Sequence, residues 1–257
     1  MSDYIIYEQP VAENVRNFLK CEYLNEKLNS SLLQDNIWSI KSSIITLLEM
    51  SDFSQRINLK IEFLKELEKS NFLIKKLYDD EMLDISKYDK YKTEIEKCLL
   101  ELEDLDGNPS KKILDNDFLM QIKSKLHIPA GDNFFDMPSY LNFLSSKKNF
   151  IVENINRWSQ PFSPFFQSSK LILSIKRRSS KFESFKSNNS FFEKKLENDQ
   201  KFDLVRIRLE NNTNIYPDIS VNRQNINAVF KTSYGDSRLS KPVIEDVRFE
   251  LSLSILV

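Results

Sequence analysis

The chain has 257 residues, of which 40% are hydrophobic and 29% are charged, so it is long enough for one large domain or two smaller ones with buried cores. Lysine and arginine together number 37 and aspartate and glutamate 38, and this balance favours neither nucleic acid nor a membrane surface as a partner. Three isolated glycines and a single histidine exclude a phosphate-binding glycine loop and a cluster of histidine metal ligands, and we expect no cofactor.

The first residues and the cysteines indicate the compartment. The opening, MSDYIIYEQP, carries acidic residues where a signal peptide carries lysine or arginine, and no run approaches the roughly 20 apolar residues of a membrane span. Cys21 and Cys98 lie far apart in helix-like stretches, where buried thiols are expected rather than a disulfide or a metal pair. We therefore expect a cytoplasmic protein.

A strand and several helices are predicted first along the chain. Residues 3–9, DYIIYEQ, indicate a short strand that Pro10 stops. Apolar residues at helical spacing then predict helices over about 11–30, 36–50, 113–126, 148–160 and 163–178.

Two further helices, 55–78 and 85–105, form the clearest pair. Their apolar residues recur at the three- and four-residue steps of a heptad seam, and the six residues DDEMLD between them suit a turn. The seam residues are Phe63, Leu67, Ile74 and Leu77 in the first helix and Tyr88, Tyr91, Ile95, Cys98, Leu102 and Leu105 in the second. This pattern predicts an antiparallel helical hairpin.

The stretch KLHIPAGDNFFDMPSYLNFL contains the single histidine, His127. We interpret it as a structural joint in which Pro129 and Gly131 end one helix and Asp136 caps the next, with Pro138 in its first turn. His127 has neither a second histidine nor an obvious nucleophile beside it, so a structural role is favoured over a catalytic one.

After residue 202 the apolar period changes to two, which is typical of half-buried antiparallel strands. The apolar positions are Val205, Ile207, Leu209, Ile226, Ala228, Phe230, Val247, Phe249, Leu251, Leu253 and Ile255. The predicted fold class is α+β. A mainly helical domain spans 11–178, a small antiparallel β domain combines 1–10 with 202–257, and 179–201 forms a long basic loop.

No motif indicates catalysis, so we expect no enzyme. The candidate binding residues are therefore sought where positive charge is concentrated locally. A basic groove beside a sheet can hold an acidic or mixed peptide through charge-assisted hydrogen bonds. If the N-terminal strand joins the C-terminal sheet, Arg16 is brought near the arginines of the β region. The partner-binding candidates are Arg16, Lys20, Arg56, Arg206 and Arg223, and Arg208 lies beside them in the sequence.

The tract 176–201 leaves an alternative open. It has eight lysines and arginines against four acidic residues, with phenylalanines spaced among them. Such a composition is also found where single-stranded nucleic acid stacks its bases on aromatic rings. Since the total charge is neutral and phenylalanines in a loop more often fix it to the core, a nucleic-acid-binding module remains the alternative.

Four blocks of the sequence resemble one family, the Z-ring-associated protein D (ZapD) family. They are YEQPVAENVRNFLKCEYL (7–24), KLHIPAGDNFFDMP (125–138), FDLVRIRLENNTNIYPDIS (202–220) and VRFELSLSILV (247–257). The first is similar to the family's F-E-x-P-L opening, the second to its I-P-G-G stretch, the third to its strand before Y-P-x-I-S and the last to its F-E-L ending. The blocks follow the family's order at close to its spacing.

The resemblance implies a bacterial cell-division protein that is cytoplasmic and is recruited to the division site at mid-cell. Such proteins are homodimers and not enzymes, and they bind the C-terminal tail of the tubulin-like protein FtsZ and bundle its filaments through basic residues. By motif match, Arg16 falls on a family arginine, Arg56 does so across a gap, and Arg223 falls on a basic position.

The chain departs from the family pattern at three positions. Asn225 and Val229 stand where the family has two arginines, and Ala130 stands for the first glycine of I-P-G-G. The loop 179–201 is longer and more basic than expected, and can compensate for the two arginines.

Overall fold

The computed structural model describes residues 3–34, 36–56, 58–196, 202–211, 214–222, 224–232 and 241–255. Contacts divide the chain into a β unit, Met1–Arg16 with Leu173–Val257, and a helical unit, Asn17–Ile172. The predicted α+β class is confirmed. The predicted domain limits stay a prediction, and these units differ from them at 11–16 and 173–201.

The helical elements follow one another with short connections. They are α1 (Glu13–Leu33), α2 (Ile37–Arg56), α3 (Leu59–Asp79), α4 (Ile85–Glu103), α5 (Lys111–Leu114), α6 (Asp117–Lys125), α7 (Pro138–Leu144), α8 (Lys148–Ser159), a 3-10 turn (Gln160–Phe162) and α9 (Ser163–Arg178). A core of the helical unit forms between α2 and α5–α8, where Ile44, Leu47, Ile113 and Ile155 are fully buried. None of the described helices has the length and hydrophobicity that crossing a membrane requires.

The predicted hairpin is confirmed by α3 and α4. The carbonyl oxygen of Leu77 accepts hydrogen bonds from the N–H groups of Met82 (2.8 Å) and Leu83 (3.1 Å), which close the turn. Lys60 at the start of α3 donates to the carbonyl oxygen of Glu103 (2.9 Å) at the end of α4, so the helices run antiparallel. The buried residues include Phe63, Leu67, Ile74 and Leu77 on α3 and Tyr91, Ile95, Cys98 and Leu102 on α4. Cys21 and Cys98 are buried and free, as predicted.

The predicted helix over 113–126 is two helices, because Asn116 interrupts it. Its side-chain oxygen accepts from the N–H of Leu119 (3.1 Å) and caps α6. A residue whose side chain bonds the backbone in this way favours a helix start over a helix interior.

At the joint after α6, Pro138 opens α7 as predicted, but the predicted cap is wrong. Met137 occupies the cap position and makes no side-chain cap bond, while Asp136 accepts from Asn133 Nδ2 (2.6 Å). Gly131 allows a close backbone approach, since a methyl group there would collide with the carbonyl oxygen of Lys125.

The β unit holds two packed sheets. Its strands are β1 (Tyr4–Pro10), β2 (Glu183–Lys186), β3 (Phe191–Lys195), β4 (Phe202–Glu210), β5 (Ile215–Val221), β6 (Asn225–Thr232), β7 (Lys241–Pro242) and β8 (Arg248–Ile255). The first sheet has the order β1-β4-β8-β2 and the second β3-β6-β5, with β7 also paired to β6. The pairing of the N-terminal strand with a C-terminal strand is therefore confirmed. The strands do not form a single sheet, because β6 buries its apolar face against β4 and β8 instead of pairing with them.

The expectation of a loop over 179–201 is wrong for β2 and β3. Phe185 and Phe192 point into the core of the β unit, where their ring centroids lie 5.3 Å apart, and Phe249 lies 4.9 Å from Phe192. These strands have four and five residues, which is too short for the alternation to stand out in the sequence. Residues 197–201 of this segment lie outside the described part of the chain.

Candidate functional site

Two of the predicted binding residues are exposed on α1. The side chain of Arg16 is 45% exposed and its Nε lies 3.3 Å from Glu13 Oε2, an ion pair between neighbours on one helix. A pair of this kind in solvent contributes little to stability, so Arg16 can exchange it for another carboxylate. Lys20 is also exposed, and its Nζ lies 5.8 Å from the ring centroid of Phe53.

The side chains of two other predicted residues, Arg56 and Arg223, lie outside the described part of the chain. Arg56 is the last residue of α2, and its side chain lies outside the described part of the chain. Arg223, two residues before β6 in the sequence, lies outside the described residues. Their roles stay predictions.

Arg206 of β4 is buried, with 7% of its surface exposed, and takes part in a network of charges. Its Nε lies 3.4 Å from Glu8 Oε1, and its Nη1 donates to the carbonyl oxygen of Arg177 (2.6 Å). Arg177 in turn donates to both carboxylate oxygens of Glu8, at 2.9 and 2.7 Å. Burial lowers the pKa of the Arg206 guanidinium, and the charge of Glu8 opposes this shift. This arginine therefore connects β4, β1 and the end of α9 instead of facing solvent.

Arg208, two residues further along β4, lies on the same face of the sheet but nearer the C-terminal end of the strand. Its guanidinium carbon lies 4.8 Å from the ring centroid of Tyr4 and 4.5 Å from that of Phe182. Glu250 of β8 pairs with it, and this hydrogen bond raises the pKa of the Arg208 guanidinium.

The same face continues into an open cleft of about 510 Å³. The strand register places Arg208 opposite Glu250 and Lys186 opposite Arg248, so that three cations share this face. Lys186 pairs with Asp246 (2.7 Å), which lowers the pKa of that carboxyl. Arg248 is exposed and forms no ion pair with any residue that the structure describes. The cleft therefore offers a carboxylate Arg248, which no described acidic side chain pairs with, and beside it Arg208 and Lys186, which are already paired.

Sequence reasoning missed Arg248 as a candidate and placed Lys186 only in the tract 176–201 considered for nucleic acid. The alternation of the last strand already places Arg248 and Glu250 on one polar face. The missing information was the register, because β2 was predicted as a loop and its pairing with β8 joins residues about 60 positions apart.

Two of the three positions that depart from the family pattern, Asn225 and Val229, lie on β6. Asn225 is half-buried, and its Nδ2 donates to Glu193 Oε1 on β3 (2.7 Å). Val229 is half-buried on the same face of the strand. No positive charge therefore stands at either position.

Part of the tract that suggested nucleic-acid binding is packed within the β unit. Lys176 is buried and pairs with Asp203, and Arg177 is held by Glu8. Phe185 and Phe192 lie in the aromatic cluster of the core. Two of the eight cations and two of the four phenylalanines of the tract are therefore engaged within the β unit.

Metal binding has no support within the described ranges, which contain no group of three or more histidine, cysteine, aspartate or glutamate residues suited to holding an ion.

The architecture is that of an α+β protein whose helical unit and antiparallel β unit each carry exposed basic side chains. The profile of the ZapD family, described as a cell division protein, matches residues 19–228, and the chain belongs to this family.

Relatives of the same description align with almost the whole chain. Cell division protein ZapD of Ralstonia pickettii is 29% identical over 250 residues, covering 97% of this chain and 98% of the relative. The protein of that name in Ralstonia nicotianae is also 29% identical, with the same coverage. That of Chromobacterium violaceum is 25% identical over 248 residues, covering 96% of this chain and 98% of the relative.

Proposed function

We propose that this protein binds the C-terminal tail of FtsZ as a homodimer and crosslinks FtsZ filaments into bundles, thereby promoting Z-ring assembly. The observation that carries the proposal is membership of a cell-division family over nearly the full length of the chain. The tail of FtsZ as partner comes from the sequence resemblance to that family. We further propose that the protein acts in the cytoplasm at mid-cell and is not an enzyme.

Bivalency is the proposed mechanism. A twofold homodimer presents two equal tail-binding sites, and each can hold a different filament. A single contact can be weak, because a filament displays many tails at high local concentration and avidity supplies the strength.

The proposed tail contacts are exposed basic side chains. Arg16 and Lys20 on α1 are exposed, and Arg56 and Arg223 remain proposed contacts on the grounds of sequence. To these we add Arg248 in the cleft of the β unit, where no described acidic side chain neutralises it. The buried Arg206 supports this surface by holding β1 and β4 together.

The proposal is tested by sedimenting FtsZ filaments with and without the protein. We expect more pelleted FtsZ at low salt and less as salt rises, since screening acts over about 8–10 Å at physiological ionic strength. Arg16→Ala and Arg248→Glu should each weaken binding of the isolated tail peptide about 10-fold, the value of one charge-assisted hydrogen bond. Arg157→Glu, which changes an exposed arginine on α8, is the matched control and should leave binding unchanged.

Two results would contradict the proposal. One is that the wild-type protein adds no FtsZ to the pellet at low salt. The other is that the tail peptide binds equally well to wild type, Arg16→Ala and Arg248→Glu, which would place the contact on another surface. Arg206→Ala is a separate case, because Arg206 is a buried charged partner of Glu8. Its loss should lower the free energy of unfolding by about 1.5–3 kcal/mol. Any loss of binding in this variant would therefore follow from lower stability of the fold.

A further inference from the structure

The end of the helical unit where α1 stops and α2 starts carries exposed apolar side chains. Leu33, the last residue of α1, is 84% exposed, and Trp38 in the first turn of α2 is 72% exposed. The connection between them is short and fixed, because the hydroxyl of Ser39 lies within hydrogen-bonding distance of the carbonyl oxygens of Gln34 (3.2 Å) and Asn36 (2.7 Å). Leu33 and Trp38 are therefore held close together at the surface.

A buried lysine joins the start of α2 to the joint between α6 and α7. Lys41 is 7% exposed, and its Nζ lies 2.7 Å from Asp132 Oδ2 and donates to the carbonyl oxygen of the same residue (3.1 Å). This Nζ also lies 5.2 Å from the ring centroid of Trp38 and 5.0 Å from that of Phe134. A buried charge persists only with such partners, which it holds in place. The joint and the start of α2 therefore form one region of the surface.

The joint adds two exposed apolar side chains to this region. Ile128 is 52% exposed, and Phe135, which follows Phe134 in the sequence, is 84% exposed. We call Leu33, Trp38, Ile128 and Phe135 the apolar tip. Proteins rarely expose several large apolar side chains together unless the patch binds another molecule or a membrane.

The apolar tip has no cavity beside it into which a partner could insert a side chain. The space between α1, α2 and α8 at this end measures about 10 Å³, roughly what a single water requires. Its walls include Leu32, Ile40 and Ile151. The tip therefore inserts its own side chains into a partner, and the partner supplies the apolar surroundings.

Lysines lie beside the apolar tip. Lys125 ends α6 at the joint, where its carbonyl oxygen accepts from the N–H of Ile128 (3.0 Å). Lys147 and Lys148 stand at the start of α8 and are exposed. Lys148 lines the same small space as Leu32 near the end of α1, which places the start of α8 next to the tip.

Acidic side chains compensate these lysines only in part. Of the two aspartates in the joint, Asp132 is already paired with Lys41, and Asp136 is the other. Lys125 and Lys147 form no ion pair with any residue in the described ranges. The described charge around the tip is therefore positive, although the charges of the whole chain nearly cancel.

We propose that the apolar tip docks on an anionic membrane surface. Its four side chains enter the boundary between headgroups and acyl chains, to a depth of about 5–10 Å, while the lysines stay among the headgroups. Tryptophan is typical of this boundary, because its ring is apolar and its N–H is polar. A protein partner would need separate pockets for four protruding side chains, whereas a bilayer accepts them in any arrangement. The proposal goes beyond filament bundling and does not depend on it.

Co-sedimentation of the full-length protein with vesicles tests the proposal. We expect binding to vesicles made of equal parts of phosphatidylcholine and phosphatidylglycerol, and binding about 10-fold weaker to phosphatidylcholine alone, where the lysines gain nothing. Trp38→Ala should weaken binding to the anionic vesicles about 10-fold, through loss of one inserted aromatic side chain. Lys147→Ala should weaken it about 5-fold. Phe72→Ala on α3 is the matched control, since Phe72 is 67% exposed, and it should bind like the wild type.

Tryptophan fluorescence gives a second readout that does not depend on the stability of Trp38→Ala. The chain has two tryptophans, and Trp158 is only 5% exposed, so a change of surroundings on docking falls on Trp38. Its emission should shift to shorter wavelengths when anionic vesicles are added. Trp38→Phe keeps a ring beside Lys41 and should still sediment with the vesicles, but without this shift.

The outcomes distinguish a bilayer from a protein partner. A wild type that does not sediment with anionic vesicles overturns the proposal, as does equal weakening by Trp38→Ala and Phe72→Ala. Without vesicles, a lower solution mass of Trp38→Ala or a loss of FtsZ bundling by it overturns the bilayer in favour of a protein chain that covers the tip. Unchanged bundling together with weakened vesicle binding supports the proposal and leaves the proposed function to its own test.

Discussion

Arg206 and Arg208 lie two residues apart on β4, and their surroundings give them different roles. Arg206 is buried against Glu8 and the end of α9, where its charge supports the packing of three elements. The guanidinium of Arg208 lies close to the rings of Tyr4 and Phe182 at the border of an open cleft. The sequence shows two arginines on one face of a strand, and only the neighbours that fold onto that face distinguish them.

At the same scale, the thiol of Cys21 gives the protein a pH-dependent stability. Burial, and secondarily the charge of Glu62, raises the pKa of Cys21 to about 12 from an ordinary value of 9.0. Above pH 9 the unfolded chain loses this proton while the folded chain keeps it. The stabilising contribution is therefore complete below about pH 9 and is lost as pH rises toward 12.

We expect this effect to appear in urea unfolding between pH 8 and pH 10. Over that interval the free energy of unfolding of the wild type should fall by about 1.4 kcal/mol more than that of Cys21→Ala, because one thiol ionises only in the unfolded chain. Cys98→Ala is the control that retains Cys21. Equal alkaline losses in wild type and Cys21→Ala would show that Cys21 ionises in the folded protein as well.

Among the elements, the helices with long apolar seams are predictable and the short strands are not. α3 and α4 carry a repeat over about three heptads, and a pattern of that length identifies both the helices and their antiparallel pairing. β2 and β3 have four and five residues, and their partners β8 and β6 lie far along the chain. When apolar and polar residues alternate over only four or five positions and the pairing strand is unknown, the sequence fits a strand and a loop equally well.

The hairpin seam yields a prediction at this scale. Ile95→Ala should lower the free energy of unfolding by about 2–5 kcal/mol, because Ile95 is fully buried between α3 and α4 and its removal leaves a cavity. Leu100→Ala on the same helix should change it by no more than about 0.5 kcal/mol, since Leu100 is 61% exposed. Urea titration measures both variants. A similar loss for the two would mean that the seam is not the packed face of the hairpin.

At the scale of the whole molecule, a bivalent crosslinker has a characteristic dependence on concentration. When tails outnumber binding sites, each added dimer joins two filaments, but an excess of dimer occupies the tails singly and leaves second sites empty. We expect pelleted FtsZ to rise and then fall as the protein is titrated, with a maximum near one chain per FtsZ subunit. Sedimentation at constant FtsZ measures this curve. A plateau that persists at large excess would contradict bivalent crosslinking.

The sequence by itself determined the α+β class, the helical hairpin and the family, because each depends on residue patterns that are local or that recur in order along the chain. It also identified the basic side chains of α1 as candidates for binding.

Only the tertiary structure decided that β6 belongs to a second sheet, that Arg206 is buried and that Arg208, Arg248 and Lys186 share one face. It also showed that the apolar residues Tyr4, Ile5 and Ile6 of β1 are exposed. The physical reason is the same in each case. Burial and ion pairing depend on which distant segments meet, and the register of strands separated by tens of residues is set by packing of the whole β unit rather than by local sequence.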